Sequence, residues 1–87
     1  MKKKKAAALK YENGYSAPIV TATGMGYIAD KIIEKAEEKN IPVVYDQELA
    51  NLLTSVDVGD SIPFELYDAI AKVIAYVVDI DEMIDRG

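Results

Sequence analysis

The chain has 87 residues, 51% of them hydrophobic and 29% charged, a balance typical of one folded domain with one core. It contains neither cysteine nor histidine, which excludes disulfides, thiolate nucleophiles, the usual zinc sites and histidine-based acid–base catalysis. A formal net charge of −5 argues against nucleic acid as a partner. No apolar run approaches the ~18 residues of a membrane span, so we expect a cytoplasmic protein that does not itself cross the membrane.

A run of lysines, residues 2–5, opens the chain. Each lysine near an anionic membrane surface contributes about 1 kcal/mol of attraction, so the run is an electrostatic handle for lipid in one interpretation. In the other interpretation, which we favour, residues 1–5 form a flexible and solvated terminus.

Two strands are predicted next, at residues 6–11 and 18–22. Between them lies Asn13-Gly14, a dipeptide that favours a tight turn because both residues tolerate a positive φ. Pro18 lacks a backbone donor and therefore opens the second strand instead of interrupting it. The connection is thus a hairpin-like turn or a loop that leads into a β-branched strand.

An amphipathic helix is predicted over residues 28–39, where apolar side chains recur with a period of 3.6. Asn40 suits the left-handed C-cap of this helix, and Pro42 blocks its continuation. Residues 41–45 are a short β-branched run with the composition of a buried strand. The order strand, helix, strand therefore predicts a right-handed βαβ crossover.

Two further helices complete the predicted fold. Asp46 is placed to cap a short helix over residues 47–54, and Pro63 suits the first turn of a last helix. The acidic end, residues 81–87, is expected to fray into solvent. The fold class is therefore α/β: a single domain over residues 6–80, in which a small mixed sheet of three to four strands is covered by three or four helices.

The sharpest local pattern is Gly24-Met25-Gly26-Tyr27-Ile28-Ala29, which follows a predicted strand and opens a predicted helix. With Asp46 about twenty positions further on, the layout matches a dinucleotide-binding fingerprint, in which glycines let a pyrophosphate approach a helix N-terminus. A chain of this length lacks the second half of such a sheet, so we favour a tight turn at the glycines and a helix cap at Asp46. The alternative is a small phosphate- or nucleotide-binding protein that uses Gly24, Gly26 and Asp46. Otherwise no cofactor, metal or catalytic residue is predicted.

Several segments between residue 6 and about residue 78 together resemble one protein family. They are Ala8-Leu9-Lys10-Tyr11, Ser16-Ala17-Pro18-Ile19-Val20, the glycine segment above, Asn40-Ile41-Pro42-Val43, Leu49-Ala50 with Leu53, and Val58-Gly59-Asp60-Ser61-Ile62-Pro63 followed by Leu66-Tyr67. No single segment is specific, but their order and spacing are similar to those of the C-terminal cytoplasmic domain of the FlhB/YscU family, the switch proteins of flagellar and type III secretion export.

The resemblance implies a binding module that is not an enzyme and that acts in recognition of export substrates or in specificity switching. A rival role is a regulatory fragment that competes with a full-length relative without binding substrates. The implied partners are export substrates of the rod and hook type and membrane proteins of the export gate. The implied location is the cytoplasm, with peripheral attachment to the gate at the inner membrane.

Members of the family cleave themselves within an Asn-Pro-Thr-His motif directly before their first strand. The four aligned positions of this chain hold Met1, Lys2, Lys3 and Lys4, and the sequence contains no Asn-Pro dipeptide. We therefore expect no autocleavage. We also expect that the chain corresponds to the cleaved carboxy-terminal fragment of its relatives, made as a separate polypeptide that docks non-covalently on the export gate.

In flagellar members a small apolar patch receives the recognition segment of early export substrates. By resemblance this patch falls on Ala17, Pro18, Ala71 and Ile74, although ordinary core packing explains Ala71 and Ile74 equally well. The family also has a further strand from residues at and before the cleavage motif. Without it the sheet is expected to have an open edge, through which two chains can form a homodimer.

Overall fold

The structure, a computed structural model, describes residues 4–85 and the side chains of residues 4–77. Its elements in chain order are the strands β1 (Lys5–Lys10) and β2 (Ile19–Met25), the helices α1 (Tyr27–Glu38) and α2 (Gln47–Leu53), a 3-10 turn (Phe64–Leu66) and the helix α3 (Tyr67–Asp85). The mixed α/β class predicted from the sequence is confirmed. No helix in this part of the chain is both long and apolar enough to cross a membrane.

The two strands pair antiparallel in a single sheet. The pairing runs from Lys5 opposite Met25 to Lys10 opposite Ile19, with one shift of register in the middle of the strands. At this shift Thr21 is the extra residue of β2, and its hydroxyl donates a hydrogen bond of 3.2 Å to a carbonyl of β1. Such a bulge increases the local twist of a strand pair.

The predicted turn between the strands is confirmed. The backbone N–H of Tyr15 donates to the carbonyl of Glu12 at 3.1 Å, which closes a β-turn with Gly14 at its third position. Gly14 has a φ of 93°, a value that glycine adopts without the steric cost that other residues carry. The turn brings the end of β1 beside the residues that precede β2.

A loop after α2 covers the first residues of β2. The N–H of Val20 donates to the carbonyl of Asp60 at 2.9 Å, and the N–H of Gly59 donates to the carbonyl of Val20 at 2.8 Å. The N–H of Ile62 donates to the carbonyl of Pro18 at 3.0 Å. These bonds fix the start of β2 next to the segment that enters α3.

The third strand predicted at residues 41–45 is not formed, and the βαβ crossover predicted with it is wrong. These residues have no strand partner, and all of them except the half-buried Val43 are exposed. Asn40 has a φ of 57°, and the N–H of Ile41 donates to the carbonyl of Ala36 at 2.8 Å. The segment thus begins as the C-cap of α1, and Pro42 then removes a ladder donor. The sheet has two strands in the described residues, instead of three to four.

The predicted beginning of α2 is confirmed, and the predicted beginning of α3 is not. The carboxylate of Asp46 accepts a hydrogen bond of 3.0 Å from the N–H of Leu49, which confirms the predicted N-cap of α2. The last helix begins later than predicted, because Pro63 precedes a separate 3-10 turn. The N–H of Leu66 donates to the carbonyl of Pro63 at 3.0 Å, and α3 starts only at Tyr67.

The core lies where β2, α2 and α3 meet. Val20 and Ile70 are its largest fully buried side chains, with 0% and 1% of their surfaces exposed. Around them pack Ala17, Leu49, Leu53, Ile62 and Leu66. The start of β2 is therefore held against the loop before α3 by hydrogen bonds, and apolar burial packs it against Ile70 of α3.

Two lysines at the ends of β1 are paired with carboxylates: Lys4 directly before the strand and Lys10 as its last residue. Lys4 lies 3.0 Å from Asp30 in the first turn of α1, and Lys10 lies 3.3 Å from Glu12. A hydrogen bond to the carboxylate and its negative charge raise the pKa of each lysine. All four side chains are more than half exposed, so the pairs orient the ends of β1 and add little stability.

Both ends of the chain extend beyond the described residues. Lys5 belongs to β1, although residues 1–5 were predicted to be flexible. Residues 1–3 and 86–87 lie outside the description, and the flexible amino terminus stays a prediction there. The backbone of α3 is helical to Asp85, whereas the side chains of the acidic end are not described and its fraying stays a prediction.

Candidate functional site

An open apolar cleft of about 410 Å³ lies between the start of β2 and α3. Ligand pockets of proteins typically have about 300–1,000 Å³. One wall is formed by Tyr11, Ser16, Ala17 and Pro18, which lie before β2 or at the end of β1. The other wall is formed by Tyr67, Asp68, Ala71, Ile74 and Ala75 of α3, and Ile62 and Ile70 complete the lining. Aliphatic and aromatic side chains dominate this surface.

Small side chains on α3 leave the apolar cleft open. Ala71 and Ala75 are one helical turn apart and therefore share a face of α3, and Ile74 lies beside them, half-buried. Ile70 is 1% exposed and belongs to the core as well as to the cleft lining. The cleft is thus a shallow extension of the core surface at a place where α3 carries methyl groups instead of large side chains.

All four residues that the resemblance assigns to a partner site line the apolar cleft. Ala17 is 5% exposed and Pro18 is buried, Ile74 is half-buried, and Ala71 is exposed. Core packing accounts for Ala17, which is part of the core cluster. It does not account for Ala71, because an exposed methyl group is not packed. An open apolar surface at this junction favours the binding interpretation.

Sequence reasoning did not identify two aromatic residues of the apolar cleft. Tyr67 is 41% exposed and lies one turn before Ala71, so the helical period could have revealed it. Tyr11 is 54% exposed and reaches the cleft only because β1 pairs antiparallel with β2. No local signal predicts this contact, since it depends on the tertiary fold.

The rim of the apolar cleft is partly polar. Tyr67 stacks at an angle on Phe64, with 5.3 Å between the ring centroids, and Phe64 is 79% exposed. Ser16 and the two tyrosines supply hydroxyl groups. Asp68 carries the only charge among the described residues that line the cleft. A ligand therefore meets an apolar floor and a rim with a few hydrogen-bonding groups, which is the usual composition of a recognition site.

Local geometry explains the glycine segment between β2 and α1. Gly26 is the N-cap of α1 with a φ of 58° and a ψ of −122°, a conformation that favours glycine. Its N–H donates to the carbonyl of Lys4 at 2.6 Å. Gly24 lies within β2, and a Cβ atom added there would come within 2.9 Å of the Cβ of Ile28. The two glycines thus serve the turn and the packing of α1 on the sheet.

Replacing Gly24 by alanine is expected to lower the free energy of unfolding by about 1–3 kcal/mol, because the added methyl group overlaps with Ile28. The control is the double variant Gly24→Ala, Ile28→Ala, which removes the nearest overlapping atom, Cγ2 of Ile28, and leaves only the contact with its Cβ. Urea unfolding should show that the second substitution is less costly in the Gly24→Ala background than in the wild type. Equal costs in both backgrounds would contradict the packing explanation of Gly24.

The described residues do not form the βαβ unit that nucleotide binding by the glycine segment requires. The carboxylate of Asp46 caps α2 by accepting from Leu49. No parallel strand follows α1 in residues 4–85, so the βαβ unit of a dinucleotide-binding fold is not formed there. Gly24, Gly26 and Asp46 each have a separate structural role.

Comparison with protein-family models matches residues 3–77 to the FlhB, HrpN, YscU and SpaS family. The match covers most of the chain. The chain belongs to this family. Four of the segments that carry the sequence resemblance contribute to the apolar cleft, through Tyr11, Pro18, Ile62 and Tyr67. The residues that make the chain recognisable as a FlhB-family domain are therefore in part the residues that build its candidate site.

Relatives in the family differ greatly in length. The flagellar biosynthetic protein FlhB of Aquifex aeolicus is 49% identical over 75 residues, which are 84% of this chain and 21% of that protein. For FlhB of Escherichia coli the identity is 43% over 72 residues, which are 80% of this chain and 19% of that protein. The chain thus spans about a fifth of these relatives. The Bacillus subtilis protein YlqH is 38% identical over 82 residues, which are 93% of this chain and 88% of YlqH.

Solved structures of FlhB-family domains share this fold. The cytoplasmic domain of FlhB from Shewanella putrefaciens superposes with a TM-score of 0.87 at 34% identity, over 93% of this chain and 68% of that one. The C-terminal domain of PscU superposes with a TM-score of 0.79 at 31% identity, over 84% of this chain and 95% of that one. The arrangement of α1, α2 and α3 on the sheet is therefore the arrangement of the family.

Proposed function

We propose that this chain is a non-enzymatic binding module of the flagellar or type III protein export apparatus, and that its apolar cleft receives export substrates. The observation that carries the proposal is the convergence of Ala17, Pro18, Ala71 and Ile74 on one open apolar cleft. Membership of the FlhB family supports a role in export, because the FlhB relatives are named as flagellar biosynthetic proteins.

The shape of the apolar cleft suits an apolar side chain of an extended or helical substrate segment. Full burial of one large apolar side chain contributes about 1.5–3 kcal/mol. Two such side chains contribute up to about 6 kcal/mol, and a cost of about 0.5–2 kcal/mol for ordering the segment leaves dissociation constants of about 0.1–1 mM. Weak and reversible binding fits a module that has to release each substrate for export.

The proposed location of the module is the cytoplasmic side of the export gate. The solved FlhB domain from Shewanella putrefaciens is named as a cytoplasmic domain, which supports this location. The gate itself is one of the proposed partners, because the FlhB relatives are named as flagellar biosynthetic proteins. Docking on the gate places the apolar cleft where substrates arrive.

We predict that the chain does not cleave its own backbone. Members of the family cleave themselves within an Asn-Pro-Thr-His motif. None of the three asparagines of this sequence is followed by proline, since they stand in Asn13-Gly14, Asn40-Ile41 and Asn51-Leu52. Intact-mass spectrometry after several days at neutral pH should show one species of about 9.6 kDa. A pair of fragments whose masses add up to the whole chain would contradict the prediction.

A homodimer through the sheet edge is a second element of the proposal. In the described residues β1 pairs with β2 and with no other strand, so its other edge has no strand partner there. Light scattering after gel filtration should then give a mass that rises from about 9.6 kDa toward twice that value with concentration. A constant monomer mass up to millimolar concentration would reject edge pairing.

Substrate recognition is tested by calorimetric titration of the protein with a purified rod or hook subunit of the export system. We expect saturable binding with a dissociation constant of about 0.1–1 mM. Absence of binding at millimolar substrate would reject substrate recognition and leave docking on the gate as the function to test. The same titration with a late export substrate of the filament type serves as the specificity control.

A further inference from the structure

Asp68 is the charged residue among the described residues that line the apolar cleft. It is exposed, it lies in the first turn of α3, and it lines the cleft between Tyr67 and Ala71. The ion pairs formed by described side chains involve Lys4, Lys10, Lys31 and Lys35. None of these pairs includes Asp68, so within residues 4–77 its carboxylate is not neutralised by a contact with a lysine.

Lysine side chains do not belong to the lining of the apolar cleft in the described residues. Lys72 lies one turn further along α3, but it does not line the apolar cleft, and no ion pair of the described residues joins it to Asp68. Lys10 lies at the end of β1 and is paired with Glu12. The lining itself therefore carries one negative charge and no positive charge.

We propose that Asp68 makes the apolar cleft selective for segments that carry a lysine or arginine beside the apolar anchor, and that it disfavours acidic flanks. The inference rests on the proposed substrate recognition and names the class of segment that this site takes. An exposed carboxylate beside the apolar cleft attracts a cation and repels an anion, and such complementarity contributes more to specificity than to affinity. At about 0.15 M salt the Debye length is about 8 Å, so only charges close to the cleft matter.

The expected size of the effect is modest but measurable. One exposed ion pair changes a dissociation constant by about 1.4- to 5-fold, and replacement of an attraction by a repulsion roughly squares that factor. We therefore expect lysine-flanked segments to bind about 2- to 25-fold more tightly than glutamate-flanked ones. Asp68 also stabilises α3 as an acid near its N-terminus, but that role does not depend on the charge of a ligand.

The test uses three short synthetic peptides that share one phenylalanine anchor, flanked on both sides by lysine, glutamine or glutamate. Their dissociation constants are measured by NMR titration at about 0.15 M salt with the wild type and with the variants Asp68→Asn and Glu37→Gln. Glu37 is an exposed carboxylate of α1 that does not line the cleft. This control therefore changes the net charge by the same amount.

We expect the preference for lysine over glutamate to fall at least twofold in Asp68→Asn and to stay unchanged in Glu37→Gln. In the wild type it should also shrink as salt is raised. An unchanged preference in Asp68→Asn overturns the assignment of Asp68 while leaving substrate binding intact. Failure of the neutral glutamine peptide to bind any of the proteins overturns the proposed use of the cleft, and with it this inference.

Discussion

Replacing Ile70 by alanine is expected to lower the free energy of unfolding by about 2–5 kcal/mol. Ile70 is 1% exposed and packs in the core cluster with Val20 and Leu66, so the truncation removes buried methylene groups and leaves a cavity. A domain is stable by only about 5–15 kcal/mol, and for this size each kcal/mol lost lowers the Tm by about 4–8 °C. Urea unfolding followed by circular dichroism measures the change.

The matched control is Ile41→Ala, the same substitution at an isoleucine that is 52% exposed. The backbone N–H of Ile41 keeps its bond to the carbonyl of Ala36, so the expected loss is within about 0.5 kcal/mol. Similar losses in the two variants would contradict the position of the core between β2 and α3. Ile70 also lines the apolar cleft. The change in unfolding free energy therefore tests whether this part of the cleft lining belongs to the core.

Replacing Ala71 by aspartate is expected to weaken binding of an early export substrate at least about fivefold. Ala71 is exposed and lines the apolar cleft, so a folded protein can carry a carboxylate there. When a substrate covers it, the carboxylate loses water without gaining a partner, and burial of an unpaired polar group costs at least about 1–3 kcal/mol. Calorimetric titration with a rod or hook subunit gives the change in Kd.

The matched control is Ala69→Asp, which introduces the same residue two positions earlier on α3. Ala69 is exposed and does not line the apolar cleft, so its substitution should change Kd by less than about twofold while it lowers helix propensity equally. An equal loss of binding in both variants would indicate a general charge effect. Ala17 is unsuitable for this test, because it is 5% exposed and an aspartate there would be buried in the core.

Features governed by local chemistry were predicted well from the sequence. Asp46 caps α2 and Asn40 closes α1, because one side chain or one backbone conformation decides each of these ends. Gly14 completes the turn between the strands for the same kind of reason. The convergence of Pro18 and Ile74 on one surface came from the family resemblance, since nothing in the spacing of the two residues predicts it.

Features that depend on competition between neighbouring elements were not predictable. The run at residues 41–45 has strand composition, but its first N–H already belongs to the cap of α1. Pro63 suits the first turn of a helix, yet it begins a separate 3-10 turn, and α3 follows at Tyr67. Tyr11 joins the apolar cleft through the pairing of β1 with β2, a contact that local sequence patterns do not encode.

The most direct test of the account is an NMR titration of methyl-labelled protein with a purified rod or hook export substrate. We predict that shift changes concentrate on the methyl groups of Ala17, Ala71, Ile74 and Ala75. They should saturate, disappear in Ala71→Asp and persist in Ala69→Asp. Shift changes that cluster elsewhere, for example on the exposed residues of α1, or no changes at millimolar substrate, would contradict recognition of substrates at the apolar cleft.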